Sequence, residues 1–217
     1  MMKAIVFDMD GVLFDTEAVS LASWKETAGE FGIDEASIIR AHTGCIGLNR
    51  NDGYAWLRVC FGQDFESERF LDACKVRFDR KTKISLPLKK GTREILAYLK
   101  EQHIPTAICS STSVPVIMEH LVQAELTEYF DEIIGGNMVL HSKPQPDIYL
   151  KACEALGFSP KDCIGVEDSP NGIHSSSAAG LMTVMVPDLV APTEELSSLC
   201  ILVTDSLLGL LDYLKTL

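Results

Sequence analysis

The sequence has no long apolar run and a shortage of positive charge. Its longest apolar runs, such as 4–7 and 200–203, are much shorter than the ~20 residues that a membrane-spanning helix needs. Its 19 Lys and Arg residues are outnumbered by 31 Asp and Glu residues, which gives a net charge of −12. A surface of that sign repels phosphate backbones and anionic lipids, so nucleic acid and membranes are not expected as partners.

Signals for export and for disulfide bonding are also missing. The acidic residue Asp8 comes before the apolar core of a signal peptide could be completed. The seven cysteines are odd in number, widely spaced and without a Cys-x-x-Cys pair. We therefore expect a cytoplasmic protein whose cysteines are reduced thiols. We also expect the chain to be a monomer.

Several catalytic motifs do not occur. The sequence contains no Gly-x-Gly-x-x-Gly after a strand, no Gly-x-x-x-x-Gly-Lys, no Gly-x-Ser-x-Gly and no His-Glu-x-x-His. These absences remove support for nucleotide-loop proteins, serine hydrolases and zinc proteases. The five histidines show no paired spacing, and we interpret them as structural or surface residues.

The order of apolar patterns predicts one α/β domain with a helical insert. Residues 3–8 form a short β-branched and aromatic run, and the stretch from 15 to 86 has helical periodicity throughout. After Pro87, short apolar runs alternate with helices, which is typical of a parallel sheet with helices on both faces. We therefore expect a Rossmann-like α/β core from residues 1–14 and 87–217, and an all-helical domain from residues 15–86.

Polar residues stand at the carboxyl ends of the predicted strands or in the loops that follow. In a parallel sheet these ends share one edge, where reactive groups collect. One polar pair alone would be unremarkable, so the convergence of several pairs on one edge is the signal. The pairs are Asp8 and Asp10, Ser110 and Ser111, Lys143 and Pro144, and Glu167 and Asp168.

Four carboxylates at one edge need a compensating charge. They would repel one another by several kcal/mol unless a cation lies between them. Oxygen ligands of this kind suit a hard divalent ion, Mg²⁺ before Ca²⁺ or a transition metal. Simpler interpretations stay open for single residues: Asp8 and Asp10 could form a solvated turn, and Asp168 could cap the helix that begins near Asn171.

The same edge has groups that suit a phosphoryl group. A lysine, clustered hydroxyls and backbone N–H groups at a helix start all interact well with phosphoryl oxygens. An aspartate is a suitable nucleophile there, because a carboxylate needs no deprotonation at neutral pH. A second aspartate two residues on could protonate the leaving oxygen and later take a proton from water.

Four ordered segments resemble the motifs of the haloacid dehalogenase superfamily. The run from Phe7 to Thr16 is similar to the first motif. The segments similar to the second, third and fourth motifs are Cys109-Ser110-Ser111, Ser142-Lys143-Pro144-Gln145-Pro146-Asp147 and Gly165-Val166-Glu167-Asp168-Ser169. The resemblance covers the whole chain, and the helical insert stands where the β-phosphoglucomutase-like branch of the superfamily has its cap domain.

The resemblance implies roles for the four carboxylates and a Mg²⁺ cofactor. Asp8 would be the nucleophile and also a metal ligand. Asp10 would be the general acid and base, and its main-chain carbonyl would bind the metal. Asp168 would bind the metal directly, and Glu167 would bind it directly or through water.

The resemblance also implies which residues hold the substrate. Ser110 and the amide of Ser111 would hold the phosphoryl oxygens, and Lys143 would neutralise charge in the transition state. Arg50 lies in a segment that resembles the substrate-contacting loop of the cap, where it would bind a second phosphate or a sugar oxygen. An exposed residue at a helix start is the other interpretation of Arg50.

The activity that the resemblance implies is hydrolysis of a small phosphorylated metabolite, most simply a sugar phosphate. In the mutases of this branch a cap histidine helps to keep the phosphoenzyme from water, and Ser20 stands in its place here. This difference favours a phosphatase over a sugar phosphate mutase, which stays the alternative. A non-catalytic module that binds a phosphorylated metabolite is disfavoured, because all four motifs look intact.

We interpret Trp24 and Trp56 as core residues.

Overall fold

Residues 2–217, which the computed structural model describes, fold around a six-stranded parallel sheet. The strands are β1 (Ala4–Phe7), β2 (Thr106–Ser110), β3 (Glu132–Gly135), β4 (Cys163–Glu167), β5 (Met182–Met185) and β6 (Leu202–Val203). They lie side by side in the order β3-β2-β1-β4-β5-β6. β1 is therefore central, at the point where the winding of the chain changes direction.

Ten α-helices accompany the sheet within the described residues. Four of them lie between β1 and β2 in the sequence: α1 (Glu17–Glu30), α2 (Glu35–Cys45), α3 (Arg50–Phe61) and α4 (Ser67–Ile84). The others are α5 (Thr92–Glu101), α6 (Val114–Gln123), α7 (Asp147–Leu156), α8 (Pro170–Ala178), α9 (Glu194–Ser198) and α10 (Leu207–Leu214). None of these helices is both long enough and apolar enough to span a bilayer.

The central strand is buried on both faces. Ile5 and Phe7 belong to one hydrophobic cluster, which includes apolar residues of α5, α6 and α10. Ala4 and Val6 point to the opposite face and belong to a second cluster with residues of α7. Successive residues of a strand face opposite sides, so helices on both faces explain the continuous apolar run of β1. The predicted Rossmann-like α/β fold is confirmed.

The helices α1 to α4 have a hydrophobic cluster of their own. Phe70 of α4 is fully buried in it and packs edge-on against the rings of Trp24 and Phe31. Phe65 also packs against Phe70, with the two ring centres 5.7 Å apart. This cluster includes no residue of the six strands, so the four helices pack around a core that is separate from the two cores of the sheet.

Two adjacent backbone segments join the four-helix unit to the sheet. Phe14 and Leu88 form an isolated antiparallel bridge. On either side of it, the N–H of Asp15 donates to the carbonyl oxygen of Pro87 and the N–H of Lys89 donates to that of Leu13, both at 2.9 Å. The chain therefore leaves the sheet and returns to it at one place.

Two short elements, α9 and β6, lie in the segment between Val186 and Leu207. The strand has two residues and lies at the edge of the sheet, and the helix has five. Elements this short contain too few residues for an apolar pattern to recur, so periodicity cannot reveal them. They form because they pack on β5, with Leu196 of α9 buried against Met185.

We expect Phe70→Ala to destabilise the four-helix unit by about 3–5 kcal/mol, because it leaves a cavity among aromatic rings. Both tryptophans of the chain, Trp24 and Trp56, lie in this unit, so tryptophan fluorescence during urea unfolding reports on it selectively. The control is Val76→Ala on the same helix, because Val76 is 69% exposed. Equal unfolding midpoints for the two variants would contradict a stabilising role of Phe70.

Candidate active site

The carboxyl ends of the central strands bring the predicted polar residues together. Phe7, the last residue of β1, is paired with Ile108 of β2 and with Val166 of β4. Asp8 comes next, and its N–H donates to the carbonyl oxygen of Val166 at 2.9 Å. The pairing therefore places Asp8 beside the residues that follow Val166, which are Glu167 and Asp168.

A tight turn after Asp8 makes room for Asp168. Gly11 has a φ of +84°, and a Cβ atom there would lie 2.3 Å from Oδ2 of Asp168. Glycine is needed at this position both for the positive φ and for the approach of the carboxylate. Asp168 does not cap α8, since Ser169 has that role and accepts a hydrogen bond from the N–H of Gly172 at 3.1 Å.

The ammonium group of Lys143 lies among the carboxylates. The Lys143 side chain is 1% exposed, and its Nζ donates to Oδ1 of Asp8 and to Oε1 of Glu167. A third bond, to the carbonyl oxygen of Cys109, is 3.1 Å long. Burial alone would lower the pKa of Lys143, but the charges of Asp8 and Glu167 outweigh it and raise that pKa. Lys143 is therefore a fixed positive charge.

Asp8, Glu167 and Asp168 form a buried set of oxygen donors. Each offers a carboxylate oxygen, and the three atoms lie within 4.8 Å of one another. Burial raises the pKa of Asp8 and of Asp168 well above the usual range; Lys143 lowers that of Asp8, and nearby carboxylates raise both. The single positive charge of Lys143 does not balance the negative charge of three ionised carboxylates. A hard divalent cation, which prefers oxygen ligands, fits the donors that are present.

Hydroxyl groups orient the carboxylate of Asp10. Its Oδ1 accepts a hydrogen bond from Oγ1 of Thr16 at 2.6 Å. Its Oδ2 accepts one from Oγ1 of Thr112 at 3.3 Å. Asp10 is two residues beyond Asp8, and both line the same cavity.

The two serines at the end of β2 have different surroundings. Ser110 is buried, and its hydroxyl accepts a hydrogen bond from the N–H of Thr112 at 3.0 Å and lies 3.5 Å from Oδ2 of Asp10. The hydroxyl of Ser111 instead donates to the carbonyl oxygen of Gly47, between α2 and α3, at 2.7 Å. Ser110 thus lies near the carboxylate of Asp10, while the Ser111 side chain connects the loop after β2 to the four-helix unit.

Arg50 lies apart from the carboxylate cluster. It begins α3, is partly exposed, and its guanidinium contacts Asp72 and the hydroxyl of Tyr54. It lines the same cavity as Asp8, and so does Lys75 of α4, which the sequence analysis did not single out. The structure therefore places Arg50 on the cavity wall without bringing it into contact with the predicted catalytic residues.

A cavity of about 740 Å³ lies between the edge of the sheet and the four-helix unit. Asp8, Asp10 and Asp168 line it on the sheet side. Residues of α1 and α2, among them Glu17 and His42, line it on the helical side. Its volume is within the range of ~300–1,000 Å³ that is usual for small-molecule sites.

Glu17, which the sequence analysis missed, extends the acidic cluster. It begins α1, and its side chain is 13% exposed. Burial, followed by the charges of Asp10 and Asp8, raises the pKa of Glu17 to about 8. The available signal was its position directly after Thr16, but only the packing of α1 over the sheet edge brings its charge near the others.

His42 has the burial of a structural histidine but lies at the cavity. It is 3% exposed and packs edge-on against Trp24. Its Nε2 lies 2.9 Å from Oγ of Ser20, and both residues line the cavity. Burial lowers the pKa of His42 to about 4, so the ring is neutral. No sequence spacing could indicate this pair, because it joins two different helices.

The fold and the site together define a Rossmann-like α/β enzyme with buried carboxylates clustered at the carboxyl ends of β1 and β4. The sequence model described as haloacid dehalogenase-like hydrolase matches residues 5–186, and the chain belongs to this family. The resemblance to the haloacid dehalogenase superfamily is thereby confirmed. The chain is 31% identical over 182 residues to the phosphorylated carbohydrates phosphatase of Thermotoga maritima, covering 83% of this chain and 82% of that protein.

Solved structures show the same fold over nearly the whole chain. CbbY from Rhodobacter sphaeroides is 27% identical, with a TM-score of 0.76 and coverage of 95% of both chains; it has been solved with phosphate and with xylulose-(1,5)bisphosphate. β-Phosphoglucomutase from Clostridium difficile has a TM-score of 0.82 and coverage of 100% of this chain and 96% of that one. At 23% identity, this second likeness shows the fold alone.

We expect Glu17→Gln to remove part of the pH dependence of stability. The folded protein keeps the Glu17 proton up to a pKa of about 8, whereas the unfolded chain releases it near the ordinary value of 4.5. The metal-free wild type therefore loses stability as the pH rises through this window, and the neutral variant does not. Between pH values near 5 and near 8, the wild type should lose about 2–4 kcal/mol more than the variant.

Urea unfolding in a chelating buffer at the two pH values measures this difference. The control is Glu154→Gln, because Glu154 is exposed on α7. If Glu17→Gln followed the wild type at both pH values, the raised pKa of Glu17 would be refuted.

Proposed function

We propose that the chain is a phosphatase that hydrolyses a small phosphorylated metabolite, a sugar phosphate, with Mg²⁺ as its cofactor. The observation that carries the proposal is the buried ion pair of Asp8 and Lys143 beside the cavity. Burial raises the pKa of Asp8, and the ammonium group of Lys143 acts against that rise, so it favours the ionised carboxylate that a nucleophile needs. The name of the Thermotoga maritima relative and the phosphate-bound structure of CbbY support the same chemistry.

Two carboxylates divide the proposed reaction into two steps. In the first, an oxygen of Asp8 attacks the phosphorus atom, the bond to the leaving oxygen breaks, and Asp10 donates a proton to that oxygen. In the second, Asp10 takes a proton from water, whose oxygen attacks the phosphorus and displaces Asp8. The products are an alcohol and inorganic phosphate, and both aspartates return to their starting states.

The other predicted residues would hold the phosphoryl oxygens. Lys143 is next to Asp8, so it offsets the negative charge that develops on these oxygens in the transition state. Ser110, which is buried near Asp10, donates to them together with the N–H of Ser111. These groups are already in place before the substrate arrives, so little energy is spent on reorienting them.

The Mg²⁺ ion would be held at the buried set of oxygen donors. Its ligands would be Asp8, Asp168 and the main-chain carbonyl of Asp10, with Glu167 bound directly or through water. When bound, the ion neutralises charge that the carboxylates share with the incoming phosphate.

We propose that residues 15–86 are a cap over a core formed by residues 1–14 and 87–217. The paired segments at Phe14 and Leu88 would be the hinge. Polar contacts also join the loop and helix after α2 to α8 and to the loops that follow β2 and β3, and closure there would exclude bulk water. These contacts are Ser111 with Gly47, Asn171 with Ile46, and Ser142 with Asp52.

A sugar phosphate mutase is the second candidate. The pair of Ser20 and His42 supports it, because a neutral imidazole lies beside the position where mutases of this branch have their cap histidine. Hydrolysis releases inorganic phosphate from a hexose phosphate. A mutase instead converts hexose 1-phosphate into hexose 6-phosphate and depends on a bisphosphate primer, so product analysis separates the two candidates.

We expect Asp8→Asn to lower the turnover of p-nitrophenyl phosphate with Mg²⁺ by about 10³-fold or more, because an amide cannot form the phosphoryl intermediate. Asp212→Asn is the control, since Asp212 is exposed on α10. Removal of Mg²⁺ with EDTA should abolish wild-type turnover. Full activity of Asp8→Asn would refute the nucleophile, and turnover in EDTA would refute the metal requirement.

We expect Arg50→Ala to raise KM for a sugar bisphosphate about tenfold, because the guanidinium would bind the second phosphate. KM for p-nitrophenyl phosphate, which has no second phosphate, should change by less than about twofold. Arg58→Ala is the control, because Arg58 is on the same helix and pairs with Glu68. An equal rise in KM for both substrates would show that Arg50 has no role in binding a second phosphate.

A further inference from the structure

Glu167 differs from the other carboxylates of the cluster. Asp8, Asp10 and Asp168 are among the described residues that line the cavity, and Glu167 is not. Glu167 is fully buried at the end of β4. Its surroundings are therefore set by the protein, and a residue that contacts it can act on the site without touching the substrate.

Both carboxylate oxygens of Glu167 have donors within the protein. Oε1 accepts hydrogen bonds from Nζ of Lys143 at 2.5 Å and from the hydroxyl of Tyr149 at 2.6 Å. Oε2 lies 3.4 Å from Oγ of Ser169. Short bonds from charged and phenolic donors are the strong ones, so Oε1 is held chiefly by Lys143 and Tyr149.

The backbone restricts the same carboxylate from the other side. A Cβ atom on Gly172, in the first turn of α8, would lie 1.9 Å from Oε2 and 2.3 Å from Oε1 of Glu167. The carboxylate therefore lies directly against the main chain of α8, and movement in that direction is blocked.

Tyr149 contacts both members of the Glu167–Lys143 ion pair. It is fully buried on α7 and is among the largest buried side chains. Its hydroxyl bonds to Glu167, and the centre of its ring lies 5.4 Å from Nζ of Lys143. A ring face at that distance attracts an ammonium group, so Tyr149 holds the anion through its hydroxyl and the cation through its ring.

We propose that Tyr149 is a positioning residue: its hydroxyl fixes Glu167 as the counter-charge of Lys143, and thereby fixes the ammonium group against Asp8. A phenylalanine would keep the ring and lose the hydroxyl. Glu167 would then have Lys143 as its one strong donor at Oε1, so its carboxylate would be held less firmly and Lys143 would spend less time in the geometry that serves the transition state. The inference rests on the proposed function, because Lys143 acts there on the phosphoryl oxygens.

The first test compares the kinetics of Tyr149→Phe with those of the wild type on p-nitrophenyl phosphate and Mg²⁺. We expect kcat to fall about tenfold and KM to change by less than about twofold, because Lys143 acts mainly in the transition state. The control is Tyr98→Phe, which removes a hydroxyl on α5 and should leave both constants unchanged. An unchanged kcat for Tyr149→Phe would overturn the proposal.

The second test asks whether Tyr149 acts through Glu167. The double variant Tyr149→Phe with Glu167→Gln should have a kcat within about twofold of Glu167→Gln alone, because a neutral amide is no counter-charge for Lys143 and fixing it in place no longer positions the ammonium group. If the two single effects multiplied instead, Tyr149 would act by another route and the proposal would be wrong.

The same four proteins can be compared by urea unfolding without metal or substrate. The effects of the two substitutions on the unfolding midpoint should again fail to add, because the residues share one hydrogen bond. This measurement does not depend on catalysis. If the wild type hydrolysed no phosphate ester, the proposed function would fail while the coupling of Tyr149 to Glu167 could still be measured, and additive effects there would overturn the coupling itself.

Discussion

The buried ammonium group of Lys143 is the interaction on which the rest of the site depends. It donates hydrogen bonds to acceptors at the ends of three strands. These are the carboxylate of Asp8 after β1, the carbonyl oxygen of Cys109 in β2 and the carboxylate of Glu167 in β4. Without that charge, the buried carboxylates at this edge would lose the ammonium group that opposes their repulsion within the protein. Because Lys143 joins the three central strands, the geometry of the sheet and the chemistry of the site are set by the same contact.

Much of the fold and of the site could be predicted from local sequence. A β-branched and aromatic run such as residues 4–7 is typical of a strand buried on both faces, and parallel strands end at a shared edge. The residues at the carboxyl ends of β1, β2 and β4 therefore had to meet: Asp8 lies beside Glu167, and Ser110 lies near Asp10. The glycine at position 11 could be recognised as a turn residue, but the reason for it, the approach of Asp168, needed coordinates.

The parts that could not be predicted depend on how separate elements pack. Glu17 becomes part of the acidic cluster only because α1 lies over the sheet edge, and Ser20 meets His42 only because α1 packs beside α2. Tyr149 looks like one more apolar position of an amphipathic helix. The surroundings of Arg50 were equally hidden, since its partner Asp72 is on another helix. Local sequence therefore indicates the residues at the edge of the sheet. The contacts on the helical side of the cavity follow only from the packing of separate helices.

The paired segments at Phe14 and Leu88 have a consequence for how such a protein can change. The four helices enter and leave through two backbone strands held side by side, about 4.8 Å apart as in any sheet. Their hydrophobic cluster is complete without the sheet. A different helical unit whose two ends lie side by side could therefore replace the insert. The residues that contact Lys143, all of which lie outside the four helices, would stay in place. Under the proposed cap role, such an exchange would change which molecules reach the cavity while the contacts of Lys143 stayed the same.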